Sequence, residues 1–430
     1  MDDNRLEVRL PYGKGSVICS VAKECVQDVL TSEVNQIHPD AEEQALVRRA
    51  LENPIGSGRL SQIAAGKKKI VIITSDHTRP VPSRLTMPLI IEEILSGEPQ
   101  AQITILVATG CHRAMTEAEK LQRFGEAICN RFEIVMHDCD DENNLVDIGT
   151  LPSGKSCAIN RLAVEADLLL AEGFIEPHFF AGFSGGRKAV LPGVASRRTV
   201  LENHCAAHIA DPHARTGVLE ENPIHIDMCW AARQAKLAFI VNVILNEKHE
   251  VIHAVAGDPF KAHDAGCGFL KEICQVKGKL SDIVITTNGG YPLDQNVYQS
   301  VKGMTAAEPL VREGGVIIML AEASDGIGGE RFFHQLADEE DIGQTLQLFM
   351  SRDPEKTEAD QWQTQIFIRV LQRARVIYIS SLPDETIRRM HMYPAHSVDE
   401  ALSLAQRLLE KADVSVTLIP DGVSVISCAE

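Results

Sequence analysis

Short apolar runs alternate with amphipathic segments along most of this chain. Between the runs lie stretches with helical periodicity, for example residues 42–51 and 85–95. Strand-length apolar runs that alternate with helices predict an α/β fold whose sheets are mainly parallel and flanked by helices. The apolar runs are IVIIT (70–74), ITILVAT (103–109), LLLAEG (168–173), FIVNVIL (239–245), IVITTNGG (283–290), VIIML (316–320) and VIYIS (376–380).

The pattern also predicts two domains. Residues 5–21, RLEVRLPYGKGSVICSV, alternate around a Gly-Lys-Gly turn and predict a β-hairpin. A helix-like stretch ends near Cys274, and a new strand–helix series begins near Ser281. We therefore expect one α/β domain over residues 1–270 and a second over residues 271–430. The last strand-like run, SVTLIP (415–420), fits either domain.

Polar, glycine-bearing segments follow many of the apolar runs. They read SDHTRPVPS, TGCHR, EGFIEPHFF, TTNGGYPLDQ and AEASDGIGG. In an open parallel sheet, ligands bind in the crevice beyond the carboxyl ends of the strands. The repeated placement of polar chemistry at strand ends therefore predicts a binding site at this edge.

Composition and charge narrow the class of partner. The chain has 42 basic and 60 acidic residues, a net charge of −18 that is spread along the sequence. Such a surface repels phosphate backbones, so we expect no nucleic-acid partner. No run reaches the roughly 20 apolar residues of a membrane span, and MDDNRLEVRL lacks signal-peptide features. We expect a cytoplasmic protein with no membrane association, in which the 11 cysteines, lacking any CxxC pair, are free thiols.

Residues 176–193, EPHFFAGFSGGRKAVLPG, combine a histidine, several glycines and a lysine. A phosphate-binding P-loop needs Gly before the lysine and Ser or Thr after it, but Arg187 precedes Lys188 and Ala189 follows it. Two solvated cations in a surface turn are one interpretation of this segment. Its apolar flanks favour another, because a buried lysine needs a partner or a covalent role.

Several histidines are candidates for chemistry. His112 follows TGC at one strand end, and His178 follows Glu-Pro at another. His204 and His208 have the i, i+4 spacing that places two metal ligands on one helix face, although the glutamate of a zinc-hydrolase HExxH motif is missing. For each of these histidines, a hydrogen-bonded structural role explains the residue as well as catalysis does.

Two cations and a tryptophan complete the candidates. Arg79 in SDHTRP and Lys302 in YQSVKG would together clamp an anionic substrate, or they are salt-bridged surface residues. Trp362 is one of only two tryptophans, and its default role is core packing.

Six of these segments, in order, resemble the nickel-pincer lactate racemase family. They are SDHTRPVPS, GCHR, EPHFFAGFSGGRKAVLPG, ENH (202–204), NGGYPLDQNVYQSVKGM and DQWQTQIF. The resemblance spans roughly Ser75 to Trp362. It implies a two-domain α/β racemase of short 2-hydroxy acids, most directly lactate, with its active site in the interdomain cleft. Relatives that act on malate, aryl-lactates or sugar acids leave those substrates open, and a zinc-dependent hydrolase is the alternative outside the family.

The resemblance also implies a cofactor and a set of residue roles. The cofactor is the nickel-pincer nucleotide, a pyridinium-3,5-dithiocarboxylic acid mononucleotide nickel complex that accessory proteins build and that the N-terminal domain binds. The implied roles are acid–base catalysis by His112 and His178, covalent attachment at Lys188, nickel ligation by His204, further cofactor contact from Asp76, and substrate binding by Arg79, Lys302, Tyr298, Gln299 and Trp362.

Overall fold

A computed structural model describes residues 4–430 of the chain. The strands are β1 (Arg5–Tyr12), β2 (Gly15–Ala22), β3 (Val26–Val29), β4 (Lys69–Ser75), β5 (Gln102–Ala108), β6 (Glu133–Met136), β7 (Leu145–Thr150), β8 (Ser156–Asn160), β9 (Leu168–Phe174), β10 (Pro177–His178), β11 (Gly182–Phe183), β12 (Leu237–Leu245), β13 (Val251–Gly257), β14 (Gln275–Gly278), β15 (Ser281–Thr287), β16 (Val311–Leu320), β17 (Ala374–Ile379), β18 (Tyr393–Ala395), β19 (Val416–Ile419) and β20 (Ile426–Ala429).

The helices lie between these strands. They are α1 (Glu43–Glu52), α2 (Leu60–Ala64), α3 (Ser83–Gly97), α4 (Glu117–Phe124), α5 (Glu126–Arg131), α6 (Arg161–Glu165), α7 (Arg197–Asn203), α8 (Ala206–Ala210), α9 (Pro223–Gln234), α10 (Lys261–Cys274), α11 (Val297–Ala307), α12 (Glu330–Ala337), α13 (Ile342–Ser351), α14 (Gln361–Arg373), α15 (Asp384–Arg389) and α16 (Val398–Leu409). Short 3₁₀ turns include Gly186–Ala189. Among residues 4–430, no helix is both long and apolar enough to cross a membrane.

The chain divides into two compact units. The N-terminal unit comprises Val34–His204 and Asp211–Glu272. The C-terminal unit comprises the residues up to Glu33, Cys205–Ala210 and Ile273–Glu430. The sequence pattern did not indicate that the first residues group with the last ones, and the domain bounds 1–270 and 271–430 stay predictions.

A six-stranded sheet forms the centre of the N-terminal unit. Its strand order is β13-β12-β9-β4-β5-β6, and every pair except β12–β13 is parallel. β9 is buried along its whole length, as expected for a strand with both faces covered. Helices α1 and α3 contribute apolar side chains to the core against this sheet. The parallel strands consequently end at one common edge.

The C-terminal unit contains a second six-stranded sheet, which is entirely parallel. Its order is β18-β17-β16-β15-β19-β3. The β1–β2 hairpin adds Leu10 and Cys19 to the core of this unit. The run at 415–420 forms β19, which pairs with β15 and β3 in this sheet.

The predicted fold class is confirmed. Each of the apolar runs forms a strand, the opening segment forms the expected antiparallel hairpin, and both central sheets are mainly parallel. The short strands β3 and β6 and the antiparallel strand β13 were not predicted. They are short or at sheet edges, so their apolar pattern is weak.

Gly257 at the end of β13 is a close-packed backbone position. It has φ +132°, and a Cβ placed there would lie 2.3 Å from the carbonyl oxygen of Ile55 and 2.5 Å from its amide nitrogen. Ile55 bridges the strand end, since its N–H donates to Ala256 (2.8 Å) and its carbonyl accepts from the Asp258 N–H (2.9 Å). Gly66 also has a positive φ, of +76°, but no atom lies within 4 Å of a Cβ there.

We expect Gly257→Ala to lower the free energy of unfolding by about 3 kcal/mol, because it adds a backbone clash to an unfavourable φ. Gly66→Ala is the matched control and should cost about 1 kcal/mol, from the φ alone. Urea unfolding followed by circular dichroism measures both values. Equal losses in the two variants would contradict the close approach of Ile55.

Candidate active site

A cavity lies at the carboxyl edge of the N-terminal sheet. The ends of β4, β5 and β9 and the segment that carries Lys188 line it. Its volume is about 130 Å³. One water needs roughly 10–15 Å³ by such a measure, so the cavity admits a small organic molecule. The sequence-predicted residues that line it are Asp76, Arg79, His112, His178 and Lys188.

Asp76 and His112 form a hydrogen-bonded pair on neighbouring strand ends. The Asp76 carboxylate is buried, and its Oδ2 lies 2.8 Å from His112 Nδ1. Thr78 donates from its N–H (3.0 Å) and hydroxyl (2.5 Å) to the other oxygen. Burial acts to raise the pKa of Asp76, but the hydrogen bonds from His112 and Thr78 outweigh it and lower the pKa. An ionised Asp76 fixes the His112 proton on Nδ1, which leaves Nε2 as a proton acceptor.

His178 is held in the opposite sense. The backbone N–H of Ala181 donates to His178 Nδ1 at 3.3 Å. A neutral imidazole that accepts at Nδ1 carries its proton on Nε2. The two cavity histidines thus differ in tautomer: His112 offers a lone pair at Nε2, and neutral His178 offers an Nε2–H hydrogen-bond donor.

The buried ring of Phe180 brings further predicted residues together. His178 lies 4.5 Å from it and His204 5.1 Å, both edge-on and measured between ring centroids. Lys188 Nζ lies 5.9 Å from the same centroid. His204 is buried at the carboxyl end of α7, and Lys188 lies in the Gly186–Ala189 turn. A single aromatic ring therefore contacts both proposed cofactor-holding side chains and one proposed catalytic base.

Arg187 explains why the segment around Lys188 folds as it does. Its side chain is 1% exposed. The guanidinium donates to the carbonyls of Ala181 and Phe183 (both 2.7 Å) and to His225 Nδ1 (3.0 Å), and His263 Nε2 lies 3.0 Å away. Within residues 4–430, none of its hydrogen-bond partners is a carboxylate. The backbone must curl around the cation to supply acceptors, because a buried charge without them is costly.

The pKa shifts of Arg187 and of its two neighbouring imidazoles agree with this arrangement. Burial lowers the pKa of Arg187 to about 10, which leaves it charged at neutral pH. Burial, followed by the charge of Arg187, lowers the pKa of His225 to about 3 and that of His263 well below its usual value. Both imidazoles are therefore neutral. Arg187 is enclosed, so it is not available as a spare surface cation for an anionic ligand.

A second, partly buried arginine stabilises the loop after β4. Arg123 of α4 donates to the carbonyls of Asp76, Arg79 and Val81, the last at 2.9 Å. The exposed Arg79 side chain itself donates to the Thr78 hydroxyl at 3.2 Å. The loop that carries Asp76 and Arg79 is thus fixed from behind by a cation on another element.

Two cavity residues were missed by the sequence reasoning. Glu172 on β9 is buried and accepts hydrogen bonds from the hydroxyls of Thr74 (2.5 Å), Ser83 (2.8 Å) and Thr86. Asn242 on β12 accepts the N–H of Gly186 at 2.8 Å. The sequence did contain a signal for both residues. Each is a polar residue inside an otherwise apolar strand, Glu172 in LLLAEGF and Asn242 in FIVNVIL.

The remaining predicted residues lie in the C-terminal unit. Tyr298, Gln299 and Lys302 are on α11, with Tyr298 and Lys302 one helical turn apart. The Tyr298 hydroxyl donates to Asp360 (3.0 Å) and accepts from the Trp362 side chain. Burial, and then the Asp360 charge, raises the pKa of Tyr298. The C-terminal unit therefore brings these four predicted residues to the start of α11 and α14.

The helical spacing of His204 and His208 does not hold. α7 ends at Asn203 with His204 as its C-cap, and α8 begins at Ala206. The two histidines therefore do not share a continuous helix face, because the helix breaks between them. The prediction of a zinc site from their i, i+4 spacing is wrong in this respect.

A parallel-rich sheet whose carboxyl edge holds two imidazoles, a buried carboxylate, a lysine and an exposed arginine is typical of an α/β enzyme acting on a small anionic molecule. The Lactate racemase N-terminal domain family matches residues 12–217, and the Lactate racemase C-terminal domain family matches residues 276–427. The chain belongs to the lactate racemase family.

Individual relatives agree with this assignment. The chain is 50% identical over 420 residues to a lactate racemase of Thermoanaerobacterium thermosaccharolyticum, covering 97% of this chain and 98% of the relative. It is 51% identical over 420 residues to a lactate racemase of Lactiplantibacillus plantarum, covering 97% and 99%.

Solved structures agree at the level of the fold. The structure of the lactate racemase apoprotein from T. thermosaccharolyticum matches with a TM-score of 0.94 at 50% identity, over 98% of this chain and 100% of that one. A crystal structure of a Thermotoga maritima protein matches with a TM-score of 0.63 at 19% identity, over 91% and 100%, and shares the fold.

The Asp76–His112 pair gives a test of the site. Asp76→Asn keeps the shape but places an amide against Nδ1, which turns the imidazole to the tautomer with its proton on Nε2. We expect lactate racemisation to fall by ~10² or more, the usual contribution of positioned acid–base catalysis. His112→Ala, which removes the imidazole, gives the lowest racemisation rate with which Asp76→Asn is compared. Activity of Asp76→Asn within about threefold of wild type would contradict this role, because a positioned acid–base group contributes far more than that.

The same variant separates catalysis from stability. The folded pKa of Asp76 lies below its unfolded value, so its contribution to stability is present above about pH 4 and is lost as the pH falls through the folded pKa. Asp76→Asn should therefore show a shallower loss of unfolding free energy between about pH 5 and pH 3 than wild type. Thermal unfolding across this range measures the difference, and equal slopes would count against an ionised Asp76.

Proposed function

We propose that this chain is an isomerase that interconverts the two enantiomers of lactate. One observation carries the proposal: the imidazoles of His112 and His178 and the amine of Lys188 line one cavity at the sheet edge. The near-full-length identity to two lactate racemases supports the choice of substrate. Domain bounds, a site position between the domains and a cytoplasmic location stay predictions.

The chemistry of a 2-hydroxy acid favours hydride removal over α-proton removal. A carboxylate stabilises a neighbouring carbanion poorly, whereas loss of hydride from the α-carbon with the hydroxyl proton gives a neutral ketone. The ketone is the planar 2-keto acid, which regains hydride on either face. An acceptor for the hydride must come from a cofactor, because no amino-acid side chain supplies one.

Two observations support binding of a planar pyridinium nucleotide with nickel beside this cavity. Gly110 is in the cavity lining, and a Cβ there would meet nothing nearer than the Pro192 carbonyl oxygen at 3.9 Å, so the backbone at this position is open to a flat ligand. Imidazole nitrogen is a suitable nickel ligand, and His204 lies against the same ring as Lys188. The small lining residues are Ala108, Gly110, Ala171, Gly173, Gly185, Gly186, Ala189 and Gly193.

We infer that Lys188 holds the nickel-pincer nucleotide covalently, that His204 ligates its nickel and that Asp76 orients His112. When bound, the cofactor supplies the acceptor for the hydride. His112 Nε2 takes the hydroxyl proton from one enantiomer, and His178 serves the other. Each turnover uses both histidines: one takes the hydroxyl proton from the substrate, and the other, in its protonated form, returns a proton to the 2-keto acid.

The substrate is held by its carboxylate. Arg79 has an exposed guanidinium, the group best suited to grip a carboxylate, and we assign Lys302 the same role. Tyr298, Gln299 and Trp362 complete the proposed substrate contacts. Phe179 and Phe180 provide apolar surface that excludes water beside His178.

Lactate should be preferred over larger or more highly charged 2-hydroxy acids. A second carboxylate would need another cation, and the two candidates are engaged: Arg187 is enclosed, and Arg113 pairs with Glu119 at 2.6 Å. We expect inversion of lactate, tolerance of 2-hydroxybutyrate at a cost of about 1–3 kcal/mol in kcat/KM, and poor turnover of malate and gluconate. Chiral chromatography after incubation of cofactor-loaded protein with a single enantiomer measures this.

Two outcomes would revise the proposal in different ways. Faster turnover of malate or gluconate than of lactate would change the substrate and keep the hydride chemistry. Hydrolase activity in protein that contains zinc and no nickel would favour the alternative metal hydrolase.

The proposed roles of Lys188 and His204 predict separable defects. Accessory proteins are needed to build the cofactor, so protein made without them should be folded and inactive. With them, intact mass should show an adduct on wild type and Lys68→Ala, a control at an exposed lysine, but not on Lys188→Ala. His204→Ala should keep the adduct and lose nickel by metal analysis. Active protein of unmodified mass would contradict the tether.

A further inference from the structure

Cys111 and Cys139 form a thiol pair that the proposed mechanism does not use. Cys111 lies in the loop after β5, and Cys139 in the loop after β6. The two strands pair in parallel, with Val107 opposite Met136, so their loops start side by side. The Thr109 hydroxyl joins the two strand ends by donating to the His137 carbonyl at 2.6 Å.

The two thiols are hydrogen-bonded to each other. Cys139 is 6% exposed, whereas Cys111 is partly exposed. The Arg197 N–H donates to the Cys139 carbonyl at 3.0 Å, which fixes the backbone of the buried partner. One cysteine is therefore partly open to a reactant, and its hydrogen-bond partner is buried.

The charges around the pair favour a reactive Cys111. The hydrogen bond from Cys139 is the largest influence and lowers the pKa of Cys111, with Arg197 and His112 acting in the same direction against burial and Asp140. The same hydrogen bond, together with burial, raises the pKa of Cys139. This division is the one found in reactive dithiols, with one nucleophilic thiolate and one resolving thiol.

Other interpretations of the cluster are weaker. The ligand atoms of Asp138, Cys139 and Asp140 lie within 4.8 Å of one another, which suggests a metal site. Asp140, however, is already engaged by Arg197 through two hydrogen bonds of 2.7 and 2.8 Å. An ion there would have to displace an established charge pair.

We propose that Cys111 and Cys139 are a redox-sensitive dithiol that a low-molecular-weight disulfide oxidises to an intramolecular disulfide. The Cys111 thiolate attacks one sulfur of the small disulfide, forms a mixed disulfide and releases one thiolate. The Cys139 sulfur, after passing its proton to that thiolate, attacks the Cys111 sulfur and expels the second thiolate, which takes a proton from water. The small disulfide is reduced by two electrons, and the two cysteines are oxidised by two.

Disulfide formation would disturb the neighbouring catalytic histidine. It draws the two sulfur atoms from hydrogen-bond distance to about 2.05 Å, and His112 is the next residue in the chain. His112 depends on a 2.8 Å contact with Asp76 for its orientation. A displacement of about 1 Å in a catalytic group can cost ~10² in rate, so the oxidised chain should be nearly inactive.

The test is oxidation of the full chain, loaded with cofactor, by oxidised glutathione at pH 7, followed by acid quenching and peptide mapping. We expect one linked peptide pair, Cys111 with Cys139, that dithiothreitol removes. Cys139→Ser should stop at a glutathione adduct on Cys111, and Cys111→Ser should leave Cys139 unmodified. Cys129→Ser, a matched control at another partly exposed cysteine in the same unit, should link as wild type does.

The peptide map tests whether Cys111 and Cys139 form a disulfide. Absence of the cross-link in wild type, an adduct on Cys111 that Cys139 does not resolve, or linkage between other cysteines would each overturn the proposal. A packed thiol contact without redox chemistry predicts the first of these results.

The activity measurement rests on the proposed racemase function, whereas the peptide map is independent of it. Oxidised wild type should lose lactate racemisation ~10²-fold and recover it with dithiothreitol, while Cys111→Ser should keep its activity under the same oxidant. Full activity in cross-linked protein, or equal losses in wild type and Cys111→Ser, would overturn the control of His112. If no condition gave racemase activity, the proposed function would fail. The peptide masses would still show whether the Cys111–Cys139 disulfide forms.

Discussion

The cation buried at Arg187 is the constraint around which the site segment is built. A guanidinium removed from water must find acceptors for its N–H groups, and here backbone carbonyls and the neutral imidazole of His225 supply them. The chain after β9 therefore has to turn back on itself, which places His178 before the turn and Lys188 after it. Arg123 acts in the same way on the loop that carries Asp76 and Arg79. A buried arginine and a partly buried one thus hold, through backbone carbonyls, the two segments that carry the predicted site residues.

The two cavity histidines illustrate how a fold sets proton positions without a strong local charge at each one. A carboxylate faces Nδ1 of His112, and a backbone N–H faces Nδ1 of His178. The first partner accepts and the second donates, so the Nε2 atoms of the two rings differ in what they offer to a ligand. Their difference arises from the partner that each strand end presents, the Asp76 carboxylate to one ring and the Ala181 backbone N–H to the other.

The sequence predicted the parallel-rich fold and the edge of the sheet at which the site lies, because buried strands and glycine-rich strand ends have strong patterns. It could not predict the interior arrangement. Arg187 resembles a surface cation in sequence, and only the folded chain reveals that it is enclosed. Glu172 and Asn242 are single polar residues within apolar runs. The sequence does not show whether such a residue lies in the core or lines the cavity. The sequence suggested that His204 and His208 lie on one helix face, but the helix ends before His208 and a new one begins at Ala206.

The pairing of β3 with β19 has a consequence for biosynthesis. Val26 pairs with Val416, 416 − 26 = 390 residues later in the chain, and β19 is the only strand that hydrogen-bonds to β3 within residues 4–430. At ~5–20 residues per second, the ribosome needs roughly 20–80 s to make the intervening chain. The first strands of the protein leave the ribosome early and must wait, with an unpaired edge, for almost the last residues to be translated. A chaperone that shields this edge during synthesis would raise the yield of folded protein without touching any residue of the site.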